Sequence, residues 1–218
     1  MMRLFLLIIT VLLPQLGRAQ LFGGYKFEAG SYVLNDSRNV RQQAQLRLQS
    51  STKLLVKTAD GKTIKLKPEQ VYSFRINARK YVTAGNFHVK GGLGGADITK
   101  GFAEQLDSGQ VVLLNYTYSV GAGAPMMGAG GSMSYGGGAS ELNAYLLTRP
   151  GDSQITAVQG GFYSGGGKQF REAVRPYLAT RPDLVKLLDE KRISSDEIPA
   201  VIHALNTNSA FGIPVPNP

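Results

Sequence analysis

The sequence predicts an α+β fold in which an antiparallel, β-rich region precedes a short helical segment. Two observations predict it. Short runs of β-branched and aromatic residues, separated by turn residues, occupy much of 46–83, and two longer strand patterns follow at 111–120 and 142–148. Apolar residues at helical spacing begin only after residue 168. We expect a small barrel or sandwich over 20–160, with the helices of 168–206 covering one face of it, forming a separate bundle or presenting a groove to a partner.

Composition excludes several classes of function. The chain has 218 residues, 24 Lys and Arg against 15 Asp and Glu, no Cys and two His. Without Cys there is no disulfide scaffold, thiolate metal site or cysteine nucleophile. Two distant histidines, His88 and His203, leave little for a histidine-based metal site. No cofactor is expected.

Residues 1–19 have the pattern of a secretory signal peptide. Arg3 supplies the positive start, an apolar run follows from Leu4 to Leu13, and Gly17 and Ala19 are the small residues before a cleavage point at Gln20. The apolar run is too short for the ~20 residues of a membrane-spanning helix. We therefore expect an exported protein, periplasmic, outer-membrane-associated or extracellular, with no transmembrane span in the mature chain.

The positive charge is concentrated in one region. Without the signal peptide the chain has 22 basic and 15 acidic residues. Between Arg38 and Lys100 there are 13 basic residues against Asp60, Glu69 and Asp97, a net charge of +10. Such a concentration indicates either a solvated basic surface or a site for an anionic partner.

A hairpin within this region has a register that the sequence predicts. A three-residue loop ending at Gly61 pairs Leu54 with Leu66 and Val56 with Ile64, which places these four apolar residues on one face. A slip by one residue would bury lysines. The opposite face of the hairpin then contains Lys53, Lys57, Lys65 and Lys67.

Two further strands extend the basic region. In 71–76, Tyr72 and Phe74 are expected in the core and Arg75 on the other side. Basic residues beside aromatic ones can bind single-stranded bases or sugar rings, and Tyr81 lies next to such a cluster. The alternative is a solvated lysine face that protects a sheet edge. The candidate binding residues of this basic β-face are Lys53, Lys57, Lys65, Lys67, Arg75, Arg79, Lys80 and Tyr81.

Glycine-rich segments interrupt the strand pattern. The stretch 121–138 has eight glycines with Met126, Met127 and Met133, and it separates predicted strands at 111–120 and 142–148. We interpret it as a mobile Gly/Met-rich insert in a hairpin. None of the glycine-rich segments matches a phosphate-binding loop, so a nucleotide fold is unsupported.

The C-terminal region predicts three short helices and a flexible tail at 207–218. For the third helix, Ser194 and Glu197 have the spacing of a capping box. That cap would place Pro199 inside the helix, whereas Ser195 as the cap moves the proline into the first turn and loses the box. The apolar stripes are Phe170, Ala173, Val174 and Tyr177; Leu184, Val185, Leu187 and Leu188; and Ile198, Val201, Ile202 and Leu205.

Several of these segments occur together in a recognisable order. The chain has Lys-Leu-Leu-Val-Lys with a following Asp-Gly-Lys, then Val-Tyr-Ser-Phe-Arg-Ile with Lys-Tyr-Val, Phe-Ala-Glu-Gln-Leu-Asp-Ser-Gly-Gln-Val-Val-Leu and Phe-Arg-Glu-Ala-Val-Arg-Pro-Tyr-Leu. This layout resembles uncharacterised exported proteins, periplasmic or outer-membrane-associated, of Bacteroidetes-type bacteria. The resemblance covers roughly 25–120 and 140–206. It implies an envelope location and no particular activity.

We therefore expect a non-enzymatic envelope protein, a binding or assembly module whose basic β-face contacts an anionic envelope component or an acidic protein face. The alternative is an enzyme acting on a glycan or on peptidoglycan, which only the location and the aromatic-rich strands favour. A nucleic-acid partner is not expected for an exported chain. The sequence does not indicate an oligomeric state.

Overall fold

A computed structural model describes residues 26–90, 95–120, 126–127, 133–134, 140–159 and 167–212. The predicted signal peptide at 1–19, most of the Gly/Met-rich insert and the tail from 213 onward lie outside the described residues. Within the insert, two short strands pair with each other, Met126–Met127 (β11) and Met133–Ser134 (β12).

Ten antiparallel strands form one continuous sheet, and three short helices follow it, so the predicted α+β class is confirmed. The ten strands are Glu28–Leu34 (β1), Arg41–Ser50 (β2), Lys53–Lys57 (β3), Thr63–Leu66 (β4), Val71–Ile76 (β5), Arg79–Ala84 (β6), Gly101–Asp107 (β9), Val112–Val120 (β10), Ser140–Thr148 (β13) and Thr156–Gln159 (β14). Their order in the sheet is β14-β13-β10-β9-β6-β5-β1-β2-β3-β4. The sheet is not closed into a barrel, so the prediction of a small barrel, one of the two architectures expected, is wrong.

The half of the sheet from β6 to β4 rolls back on itself. The backbone N–H of Phe102, at the start of β9, donates to the carbonyl of Ser51 in the turn between β2 and β3, at 2.6 Å. In a flat sheet these points would be roughly 20 Å apart, because neighbouring strands are about 4.8 Å apart. We call the enclosed side the inner face and the other side the outer face. The inner face has a buried cluster of Tyr32, Leu46, Leu48, Leu54, Val56, Leu66, Val71, Phe74, Ile76, Tyr81 and Phe102.

The register of the β3–β4 hairpin is confirmed. Leu54 lies opposite Leu66 and Val56 opposite Ile64. Gly61 has φ +81°, the left-handed conformation that favours glycine at the end of a three-residue loop. The hairpin therefore turns its apolar side to the inner face, although Ile64 near its tip is 40% exposed.

The helices pack on the inner face of the other half of the sheet. They are Lys168–Val174 (α1), Pro182–Asp189 (α2) and Ile198–Thr207 (α3), with 3-10 turns at Arg175–Leu178 and Ser195–Glu197. Their apolar stripes form one buried cluster with Leu113 of β10 and Leu147 of β13, which lie opposite each other. The outer face here is covered by a small hairpin of Phe87–Val89 (β7) and Ala96–Ile98 (β8), whose Phe87 packs on Tyr116.

The predicted capping box is present, and the residue at which the third helix begins explains why Pro199 is tolerated. Glu197 accepts a hydrogen bond from the backbone N–H of Ser194 at 2.6 Å, and Ser194 Oγ accepts one from Asp196. Ser194 caps the 3-10 turn, and α3 begins only at Ile198. Pro199 therefore lies in the first turn of α3, where its missing N–H costs nothing.

Candidate functional site

The outer face of the rolled half presents polar and charged residues because side chains alternate along each strand. Where Tyr32 and Phe74 point into the inner cluster, their neighbours point outward. The cross-strand register places Ser31 opposite Arg75, Arg75 opposite Lys80, and Val33 opposite both Ser73 and Arg41.

A depression of about 700 Å³ lies on this outer face. Its floor includes Val33, Ser73 and Val82 of three adjacent strands, and the loop after β13 forms one wall. We call it the basic depression because five basic side chains and one acidic side chain line it. These are Arg38, Arg41, Lys80, Lys100 and Arg149, with Asp152.

The five cations differ in their surroundings. Arg149 donates to the carbonyl of Pro176 at 2.6 Å and lies over a tyrosine ring of the helical layer, so it is already engaged. In the part of the chain that the structure describes, Arg41, Lys80 and Lys100 have no carboxylate within 4.0 Å. Three cations without an acidic partner around one concavity attract an anion.

Tyr72 forms an aromatic rim to the basic depression. A β-bulge causes this, because Val71 pairs with Leu34 and Ser73 with Val33, which leaves Tyr72 as the extra residue. Val71 stays in the inner cluster, and Tyr72 lines the depression with 49% of its surface exposed. The guanidinium of Arg38 lies 4.8 Å from the centre of its ring. The expectation that Tyr72 lies in the core is therefore wrong, because the bulge turns its side chain outward; Phe74 is buried as expected.

The four hairpin lysines do not reach the basic depression. Lys57 and Lys65 are exposed on the outer face, opposite Thr63 and Leu55. The hairpin is four to five strands away from β6, roughly 20 Å along the sheet. Lys67 is exposed after the end of β4, and Lys53 begins β3. These lysines form a second basic area at the edge of the sheet, which we call the hairpin lysines.

The other four predicted residues divide between the two faces. Arg75 and Lys80 lie opposite each other on the outer face, and Lys80 lines the basic depression. Arg79 and Tyr81 belong to the inner side. Tyr81 is 4% exposed and stacks on Phe74 at 4.7 Å, and this burial, with Glu104 nearby, raises its pKa to about 12. As a correction, Tyr81 is a core residue, and neither it nor Arg79 lines the depression with Lys80.

Sequence reasoning did not single out Arg38, Arg41, Lys100, Arg149 or Tyr72 as site residues. The first three lie inside the stretch with a net charge of +10, so the charge count included them without singling them out. Arg149 lies outside that stretch, and Tyr72 was assigned to the core. What brings them together is the strand order, which no local pattern indicates.

A second polar cluster joins α3 to the turn after β9. His203 Nδ1 lies 2.8 Å from Asp107 Oδ2, and Asn206 donates to the carbonyl of Val111 at 2.8 Å. The backbone N–H of Val111 donates to Asn206 in return at 3.0 Å. These bonds fix α3 on the sheet, which gives the cluster a structural role. Across the described ranges, no three acidic or histidine side chains are placed to hold a metal ion.

Comparisons with known proteins do not add a family. No family model matches the chain, and no curated protein or solved structure matches it significantly. In the described part of the chain, every helix is too short or too polar to cross a membrane.

Proposed function

We propose that this chain is a non-enzymatic exported envelope protein that binds an anionic envelope component through the basic depression. The observation that carries the proposal is the set of three cations, Arg41, Lys80 and Lys100, that surround one concavity without a carboxylate partner in the described structure. The envelope location rests on the signal-peptide pattern of residues 1–19.

The aromatic rim formed by Tyr72 favours the interpretation that the basic depression binds a ligand over that of a merely solvated surface. Tyr72 offers about half of its surface to solvent beside the cations, and Arg38 holds one side of the ring. An aromatic side chain in this position can contact the non-ionic part of a ligand while the cations contact its charge. By comparison, none of the hairpin lysines lines a depression among those described here.

The experiment compares two triple variants with the same loss of charge. Arg41, Lys80 and Lys100 are replaced with Gln in one, and Lys53, Lys57 and Lys65 in the other. Binding of the chain from Gln20 onward is measured on phosphatidylcholine vesicles with and without phosphatidylglycerol, at low and high salt. Near an anionic surface each basic residue contributes about 1 kcal/mol, so the depression variant is expected to bind roughly 100-fold more weakly and the hairpin variant much less.

Two outcomes would contradict the proposal. Equal losses in both variants would mean that binding follows net charge alone, and a larger loss in the hairpin variant would move the site to the sheet edge. The predicted alternative, a glycan-acting enzyme, has its own control. Hydrolysis of an envelope glycan that is lost in Asp152→Asn, which removes the carboxylate lining the depression, would favour that class.

A further inference from the structure

A small notch opens beside the basic depression and shares residues with it. It is lined by polar and basic residues from four adjacent strands, together with Val33 and Phe74, and has a volume of about 20 Å³. A cavity of roughly 10–15 Å³ or more holds one water molecule, so the notch has room for about one oxygen atom. Its lining includes Ser31, Arg41, Ser73, Arg75 and Lys80.

The notch is built by the register of the sheet. Ser31, Arg75 and Lys80 form one cross-strand row over β1, β5 and β6, and Arg41 and Ser73 form the next row on either side of Val33. Because neighbouring strands are about 4.8 Å apart, the three cationic side chains begin at neighbouring backbone positions around the notch. The paired backbone of β1, β2, β5 and β6 thus places these residues side by side before any ligand arrives.

Within the part of the chain that the structure describes, the polar side-chain groups lining the notch have no hydrogen-bond or ionic partner. In the described ranges, the hydroxyls of Ser31 and Ser73 have no hydrogen bond, and Arg41, Arg75 and Lys80 have no carboxylate within 4.0 Å. Ser31 is only 7% exposed. Arg75 and Lys80 are directly opposite each other, and like charges in this position destabilise a sheet. An oxyanion would bind both hydroxyls and relieve the repulsion.

We propose that the notch is the anchor for a terminal phosphate group, that is, a phosphomonoester. One phosphate oxygen occupies the notch, and the others remain in the basic depression, where Arg41 and Lys80 line both spaces. A phosphomonoester has a charge of about −1.5 to −2 at pH 7 and matches three cations better than a singly charged carboxylate or phosphodiester. The molecule that bears the phosphate lies toward Tyr72. This inference rests on the proposed function and specifies its ligand.

The first test uses soluble probes on the chain from Gln20 onward. Calorimetry compares glucose 6-phosphate, dimethyl phosphate, glucuronate and glucose. We expect the monoester to bind most tightly and glucose not to bind. Between pH 5 and 7 monoester binding is expected to rise several-fold as the second phosphate proton is lost near pH 6, with dimethyl phosphate unchanged. The charged groups facing the ligand are Arg38, Arg41, Arg75, Lys80, Lys100, Arg149 and Asp152.

Variants distinguish binding in the notch from general electrostatic attraction of an anion to the basic surface. Replacing Ser31 and Ser73 with Ala leaves the charge unchanged, and the loss of two hydrogen bonds to a charged ligand is expected to weaken monoester binding tenfold or more. Arg75→Gln is expected to weaken it similarly, whereas Lys65→Gln, with the same charge change outside the notch, is the control. Unaltered monoester affinity in the double serine variant would overturn the inference, as would equal affinity for dimethyl phosphate.

Vesicles identify the source of the phosphate and keep the two proposals apart. Phosphatidic acid presents a monoester on a membrane and phosphatidylglycerol a diester, so preference for the first would indicate a lipid-borne ligand. Binding of glucose 6-phosphate without binding to phosphatidic acid would support the notch with a soluble ligand. If the triple depression variant loses vesicle binding while the double serine variant binds every probe normally, the proposed function stands and the notch is refuted.

Discussion

Adding one methyl group at Gly30 is the most direct test of how closely the strands pack in the rolled half of the sheet. Gly30 lies in β1 between Ala44 of β2 and Ile76 of β5. A Cβ atom at this position would lie 2.3 Å from the carbonyl oxygen of Arg75 and 2.8 Å from Leu46 Cδ1. Neither neighbour can yield easily, because one is backbone in the adjacent strand and the other is a fully buried side chain.

We expect Gly30→Ala to destabilise the fold strongly. An ordinary contact begins at about 3.4 Å, so β5 would have to move by about 1.1 Å, and overpacking of this kind costs about 1–3 kcal/mol. Because backbone and core are both affected, the upper end of that range applies. With a urea m-value of roughly 2 kcal/mol/M, the midpoint falls by about 1.5 M.

Urea unfolding followed by circular dichroism measures this effect, with Gly61→Ala as the control. Gly61 has φ +81° and no atom within 4 Å of an added Cβ, so its cost is conformational, about 1 kcal/mol. The reasoning is refuted if Gly30→Ala is no more destabilising than Gly61→Ala. Arg75 is a notch residue, so the same variant is also expected to weaken monoester binding.

Two further predictions concern tyrosines. The hydroxyl of Tyr177 donates to the carbonyl of Leu147 at 2.9 Å beneath the helices, so Tyr177→Phe is expected to lower the free energy of unfolding by about 1 kcal/mol, and an unchanged urea midpoint would contradict it. The pKa of Tyr81 is about 12 in the folded protein against 10.0 for an ordinary tyrosine. The contribution of the Tyr81 hydroxyl to the free energy of unfolding is complete below pH 10 and is lost as the pH rises toward 12. Tyr81→Phe should remove that loss, up to about 2 kcal/mol at pH 12, and parallel stability curves for the two proteins over pH 9–12 would argue against it.

Local patterns predicted the elements whose causes are local. The β3–β4 register follows from one glycine and from four apolar residues that must share a face. The start of α3 follows from a serine and a glutamate three residues apart. In both cases the interacting groups are close in sequence, so the pattern alone determines the geometry.

Strands β1 and β9 escaped prediction for different physical reasons. β9 has the sequence Gly-Phe-Ala-Glu-Gln-Leu-Asp, whose central residues favour a helix. It is a strand because β6 and β10 pair with it on both sides, and this pairing outweighs local preference. β1 contains Gly30, which lacks the side chain that a strand pattern needs and is required because two strands approach closely there.

The candidate site shows the same limit. The charge count indicated the region 38–100, and the eight residues chosen within it include Arg75 and Lys80, which line the notch, as well as the hairpin lysines, which lie at the edge of the sheet. The basic depression depends on β1 lying between β2 and β5, and its rim depends on a bulge of one residue at Tyr72. Both are properties of strand pairing over long sequence separations.

The central position of β1 has a consequence for how the chain is made. β1 can pair with β2 as soon as both have been synthesised, but its other edge stays open until Val71–Ile76 are available. During that interval the chain has an unpaired strand edge, which is a template for pairing with other copies. A chain of this topology benefits from being kept unfolded until it is long enough, and fragments that end before residue 71 are expected to aggregate more than fragments that include β5, in which both edges of β1 are paired.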